Sequence, residues 1–134
     1  MELNEYQKRA MTTCMESSNN FSYMMLNLVG EVGELSSKIA KQIRKEKISV
    51  HENLFVEEYS STKSLKDGDE YFKDLDLELK KEAGDILWQL SGLCDVLGWD
   101  LEDVAEMNLD KLQARKKNGT IDGSGDGVTK EERK

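Results

Sequence analysis

The chain contains no proline. Proline removes a helical hydrogen bond and clashes with the preceding turn, so its absence leaves 134 residues able to run long, unkinked helices. Cysteine is scarce: Cys14 and Cys94 stand far apart, each inside a helical pattern. No CxxC spacing suggests zinc, and both read as buried, reduced thiols of a cytoplasmic protein. No apolar run approaches the ~20 residues that span a bilayer, so no membrane partner is expected. The opening Met1-Glu2-Leu3-Asn4-Glu5 is polar and acidic rather than basic then apolar, and no secretory leader is expected. Positive charge is in deficit, with a net charge of −8. A duplex binder needs a basic face against phosphates, which argues against a nucleic-acid polymer as partner. A small anionic molecule stays open, provided metal ions stand between its phosphates and the carboxylates.

What is present is enough for one domain, since roughly 100–150 residues is the common size. Hydrophobic residues make up 37% of the chain, which permits only a modest core and points to oligomerisation to cover the remaining apolar helix surface. Leu3, Tyr6, Ala10 and Thr13/Cys14 recur at helical spacing, predicting a helix over 2–17. Ser17-Ser18-Asn19-Asn20 breaks it and caps the next. Phe21, Met25, Leu28, Val32, Leu35, Ile39 and Ile43 form the apolar stripe of a second helix reaching about Lys45. Gly30 and Gly33 lie inside it; each costs about 1 kcal/mol against alanine, so close helix approach or room for a ligand is expected there. Residues 46–74 read as a loop-rich insertion, with a short helix over Asn53–Tyr59. A third helix runs from Leu75 to Leu97, with Leu75, Leu79, Ala83, Ile86, Leu90, Leu93 and Leu97 on its core face and Gly98 as its stop. Asp100 is the expected cap of a fourth helix, Leu101 to Lys117. The reading is an all-α bundle of four to five helices over 1–118, then a glycine-rich loop and charged tail over 119–134.

At about 100° per residue, Asn27, Glu31, Glu34, Lys38 and Lys41 share a stripe beside the apolar face of the second helix. Glu78, Glu82, Asp85 and Gln89 do the same on the third. If the two helices pack by their apolar faces, the acidic stripes face each other across one groove. Four converging carboxylates repel, and a hard divalent cation such as Mg²⁺ removes that penalty while keeping waters for a phosphate to displace. An i, i+3 pair suits it, because both side chains reach one point on the helix surface. Against this, Glu-x-x-Glu arises by chance on many surface helices, and Glu34–Lys38 is an ordinary i, i+4 pair. On the fourth helix, Asn108, Lys111 and Arg115 share a stripe with Val104. They read either as snorkelling side chains or as a clamp for phosphate oxygens.

Three segments, Leu28-Val29-Gly30-Glu31-Val32-Gly33-Glu34-Leu35, Glu82-Ala83-Gly84-Asp85-Ile86-Leu87-Trp88 and Asn108-Leu109-Asp110-Lys111-Leu112-Gln113-Ala114-Arg115-Lys116, together resemble the MazG-type all-α nucleoside triphosphate pyrophosphohydrolases. The opening Tyr6-Gln7 and the ending Gly119–Asp126 are similar to those of small phage and bacterial members. The resemblance implies Mg²⁺-dependent cleavage of (deoxy)nucleoside triphosphates to the monophosphate and pyrophosphate, with Mn²⁺ as the alternative ion. It also implies a homodimer or homotetramer, and a house-cleaning role in the nucleotide pool. Glu31, Glu34, Glu82 and Asp85 would be the metal ligands, and Glu34 would orient or deprotonate the attacking water. Lys111 and Arg115 would hold phosphates and Asn108 a ligand group, with Lys38 and Lys41 as further phosphate candidates. Trp88, Tyr23 and Asn27 are candidates for the base, with packing as the plainer role of both rings.

The chain departs from the family pattern at two places. Gly30 stands where many members carry a further glutamate, as it does in the dCTP-pyrophosphatase-like members. Between Glu34 and Glu82 lie 47 residues, more than is usual, so an insertion is expected near the site mouth or an oligomer interface. Two calcium-loop readings fail on position: Asp122–Arg133 ends on arginine where a bidentate glutamate is needed, and Asp67–Glu78 has Phe72 where glycine is required. A non-catalytic helical oligomer binding a partner in an acidic, metal-binding groove is the rival from another class. It would release no pyrophosphate.

Overall fold

The computed structural model describes residues 1–51, 54–57, 62–63 and 70–123, with side chains described over 1–50 and 73–123. The chain is all-α, with a small sheet attached. Its helices are α1 (Leu3–Met11), α2 (Phe21–Arg44), α3 (Glu70–Val96) and α4 (Leu101–Lys117). A single 3₁₀ turn (Glu16–Ser18) follows α1, and strands β1 (Ile48–His51), β2 (Leu54–Glu57) and β3 (Thr62–Lys63) lie between α2 and α3.

Helix α1 is shorter than its periodicity suggests. Thr12 and Thr13 donate their hydroxyls to the carbonyls of Arg9 and Ala10, both at 2.6 Å, which satisfies the last turn and ends the helix. Asn20 caps α2 as expected, its Oδ1 accepting from the Tyr23 amide at 2.9 Å. Helix α3 starts at Glu70 rather than Leu75, since no glycine interrupts the sequence after Gly68 until Gly84. It ends at Gly98, whose φ of +74° suits a residue without a side chain. Helix α4 has the expected bounds but a different cap. Asp100 makes no side-chain cap bond. Instead Gln7 Oε1 accepts from the Leu101 amide and Asn4 Oδ1 from the Glu102 amide, both at 3.0 Å, so α1 caps α4.

The expected short helix over 53–59 is replaced where described: Leu54–Glu57 is strand β2. It pairs antiparallel with β1, Ile48 opposite Glu57 and Val50 opposite Phe55, and with β3, Phe55 opposite Lys63. β-branched and aromatic residues favour that pairing. The loop readings over 58–61 and 64–69 lie outside the described residues, as do the first residues of the Asp67–Glu78 calcium loop. The same holds for 124–134, and with them most of the Asp122–Arg133 loop and of the glycine-rich end.

Helices α2 and α3 form the main contact and run antiparallel: Asn27 meets Gln89 at one level and Lys38 meets Glu78 at another. The expected meeting of their apolar stripes is observed in part. At one end Met24 is fully buried against Gly92, where an added Cβ would lie 2.5 Å from the methionine's sulfur and terminal methyl. At the other end Ile48 and Leu75 are buried, with Ile39 and Leu79 packed on them. Between these ends polar side chains also meet across the contact: Asn27, Glu31 and Lys38 on α2, Glu78, Glu82 and Gln89 on α3. Phe21, Met25, Val32 and Ile43 of the expected α2 core face are exposed instead, as are Ala83, Leu90 and Leu97 of α3. A hydrogen-bonded or ion-paired polar stripe can be buried at tolerable cost, which leaves part of the apolar stripe at the surface. Gly33 has open space around it and Gly30 touches only Asn27, so neither marks a close helix approach within the chain.

Candidate metal centre

The polar middle of the α2–α3 contact contains the candidate site. Glu31 and Glu34, one turn apart on α2, and Glu82 on α3 place carboxylate oxygens within 4.8 Å of one another. Asp85, one turn beyond Glu82, is exposed and near enough to act on Glu31 electrostatically. Burial pushes the Glu31 carboxyl above its ordinary range. The charges of Asp85, Glu34 and Glu82 push the same way, while a hydrogen bond from Asn27 opposes them.

Glu82 is buried at 8% exposure, and its two oxygens differ. Oε1 pairs with Lys38 Nζ at 3.3 Å. Oε2 is buried with no hydrogen-bond partner among the described residues. An unpartnered buried carboxylate oxygen is costly, and here it belongs to a cluster of other carboxylates. The donors are all oxygen, the chemistry of a hard divalent cation. These residues therefore fit such an ion.

Lys38 behaves differently from its expected pairing with Glu34. It crosses to α3, with Nζ 3.0 Å from Glu78 Oε2 as well as against Glu82. Lys38 lowers the Glu78 carboxyl below its usual range, first through the hydrogen bond and then through its charge. Lys41 is exposed on the next turn. Asn27 Nδ2 donates toward Gln89 Oε1 at 2.8 Å and has Glu31 Oε1 and the Tyr23 hydroxyl each at 3.3 Å. Trp88 is committed to α1: its indole N–H donates to the Ala10 carbonyl at 3.1 Å and to Thr13 Oγ1 at 2.9 Å. That is a packing role.

On α4, Asn108 is exposed while Lys111 and Arg115 are half-buried. Arg115 Nε is buried without a hydrogen-bond partner among the described residues. No hydrogen bond or ion pair among the described residues joins these three side chains to the acidic cluster. One residue near the cluster escaped the reading of helical wheels, and another was placed by it without a role. Tyr6 comes from α1: burial raises its phenol, and Asp85 adds to the effect. Gln89, 1% exposed, is the buried partner of Asn27. The helical wheel places it on the stripe of Glu82 but assigns it no role.

The model of the MazG nucleotide pyrophosphohydrolase domain matches residues 19–120. The chain belongs to the MazG family. The matched span contains all four acids, Asn108, Lys111 and Arg115, and leaves Tyr6 and α1 outside it. The chain is also similar to the Gene 37 protein of Mycobacterium phage L5, 34% identical over 112 residues, covering 83% of this chain and 79% of that protein. No solved structure matches the chain. MazG proteins are nucleoside triphosphate pyrophosphohydrolases that use a divalent metal, so a nucleotide is the substrate class the domain implies. No helix among the described residues is long and apolar enough to cross a membrane.

Proposed function

We propose that the chain hydrolyses (deoxy)nucleoside triphosphates to the monophosphate and pyrophosphate, clearing unwanted nucleotides from the pool. Glu31, Glu34, Glu82 and Asp85 would hold Mg²⁺, with Mn²⁺ able to replace it. The observation that carries this reading is the meeting of three carboxylates within 4.8 Å around Glu82, whose Oε2 is buried with no hydrogen-bond partner among the described residues. When bound, the ion offsets charge on the phosphate chain and anchors it to an otherwise acidic surface.

The protein's own groups do the rest. Glu34 is exposed at the rim of the cluster, where water reaches it, and takes the proton of the attacking water. The water oxygen forms a bond to the α-phosphorus as the bond to the bridging oxygen breaks, and pyrophosphate leaves with the electron pair. Lys111 and Arg115 hold phosphate oxygens, with Asn108 on a further ligand group. Lys41 is exposed and joins them, whereas Lys38 is already held by Glu78 and Glu82. Of the base candidates, Tyr23 offers an exposed ring beside Asn27, while Trp88 is tied to α1. The working form is a homodimer or homotetramer, which the exposed apolar side chains of α2 support.

Pyrophosphate release from a panel of canonical and modified NTPs and dNTPs tests this, run with Mg²⁺ and with EDTA. Release is expected with Mg²⁺ only, and a Glu34→Gln, Glu82→Gln double variant should lose at least about 100-fold in kcat. A folded, Mg²⁺-binding chain that releases no pyrophosphate from any nucleotide would contradict it.

A further inference from the structure

Gln89 is almost wholly buried, yet it is neither an acid nor part of the apolar core. A buried carboxamide must satisfy a donor end and an acceptor end. Its Nε2 faces the Met24 carbonyl at 3.4 Å and the Met24 sulfur at 3.2 Å. Both are acceptors only, so the amide group can sit one way round. Oε1 must then face Asn27, and it accepts from Asn27 Nδ2 at 2.8 Å. The same choice passes along the chain of contacts. Asn27 has to present nitrogen to Gln89, and that nitrogen also reaches Glu31 Oε1, one turn further along α2, at 3.3 Å. A backbone carbonyl thus sets the orientation of two amides, and the second holds one oxygen of a site carboxylate.

We infer that Gln89 and Asn27 are positioning residues for the metal site: Gln89 orients Asn27, and Asn27 holds one oxygen of Glu31 so that the other is directed to the cation. The inference rests on the reading of the carboxylate cluster as a metal centre. It gives Asn27 a part in placing the metal ligand rather than in reading the base. Both amides are neutral, so their removal takes no formal charge from the cluster.

The experiment is titration calorimetry of Mg²⁺ alone into the full chain, comparing the parent with Gln89→Met, Asn27→Leu, the double variant, Glu31→Gln and Gln7→Leu. Methionine keeps the length of Gln89 and suits the contact with Met24. Asn27 is only half-buried, so Asn27→Leu is the second route should Gln89→Met fail to fold. Hydrogen-bonded partners of metal ligands are commonly worth about 10- to 100-fold in affinity. Each single variant should weaken Mg²⁺ binding about tenfold or more, and the double should lose no more than about twofold beyond either, since the two act in series. Gln7→Leu, which loosens the fold away from the site, should leave the affinity unchanged. Affinity within about twofold of the parent in folded Gln89→Met and Asn27→Leu, with Glu31→Gln defective, overturns the positioning role and leaves the metal centre standing. Equal weakening by Gln7→Leu overturns it too, as a general loosening. Unchanged binding in Glu31→Gln removes the metal reading itself.

Discussion

Glu31 shows the tension at the centre of the site. Its carboxyl is raised above the ordinary 4.5 by burial and then by Asp85 and Glu34. The folded state therefore binds its proton more tightly than the unfolded state does. Its contribution to stability is present below pH 4.5 and is lost as pH rises through the raised folded value. In EDTA, thermal melts from about pH 4 to about pH 8 should show Glu31→Gln gaining on the parent as pH rises, because the variant has no charge to bury. Glu78 runs the other way: Lys38 lowers its carboxyl, so its contribution is present above its unfolded value and lost as pH falls through the lowered one. The acids could be found on helical wheels because i, i+3 spacing is local. The wheel also placed Gln89 on that stripe, but its role was not legible, because it comes from a partner 62 positions away in sequence.

Among the elements, α1 does more than its nine residues suggest. Gln7 donates to the carbonyls of Trp99 at 2.9 Å and Ser91 at 3.3 Å while accepting from the Leu101 amide, so one side chain ties α3, the link after it and the start of α4. Gln7→Leu would leave those buried groups unpartnered and should destabilise the chain by about 2–3 kcal/mol in urea unfolding. Asn4→Ala removes only the cap on the Glu102 amide and should cost about 1 kcal/mol by the same measurement. The bounds of α4 were legible from periodicity and from Gly98. Its cap was not, because the first helical amides are met by side chains more than 90 residues earlier in the chain. Strand β2 was illegible for a different reason: a short apolar run such as Leu54-Phe55-Val56 carries no period, and only pairing with β1 makes it a strand.

On the scale of the whole molecule, α2 presents Leu26 at 74% and Val29 at 65% exposure, beside Phe21, Met25 and Val32. Contiguous apolar surface of this kind marks an interaction face. In the homo-oligomer proposed above, Leu26→Glu with Val29→Glu should shift sedimentation to the single-chain mass of 15.3 kDa while leaving helical circular dichroism intact, since neither side chain supports the fold of one chain. Mg²⁺ should act on the molecule as a ligand of the folded state. At about 100 times its dissociation constant it should add about 2.7 kcal/mol of stability, removed by EDTA, and Glu82→Gln should erase most of that gain.

Local pattern by itself determined the all-α class, the span of α4, the start of α2 at Asn20 and the candidacy of Glu31, Glu34, Glu82 and Asp85. Each of these depends on residues within a turn or two of one another. Tertiary structure alone decided that a polar stripe is buried in the α2–α3 contact beside part of the apolar one. A wheel assigns the core to the most apolar stripe, but a polar stripe whose members pair across two helices can be buried as well. Asn27 with Gln89 and Lys38 with Glu78 and Glu82 make that pairing, and no single helix contains both halves of it. The same packing left Glu82 Oε2 buried with no hydrogen-bond partner among the described residues, in a cluster of three carboxylates from two helices.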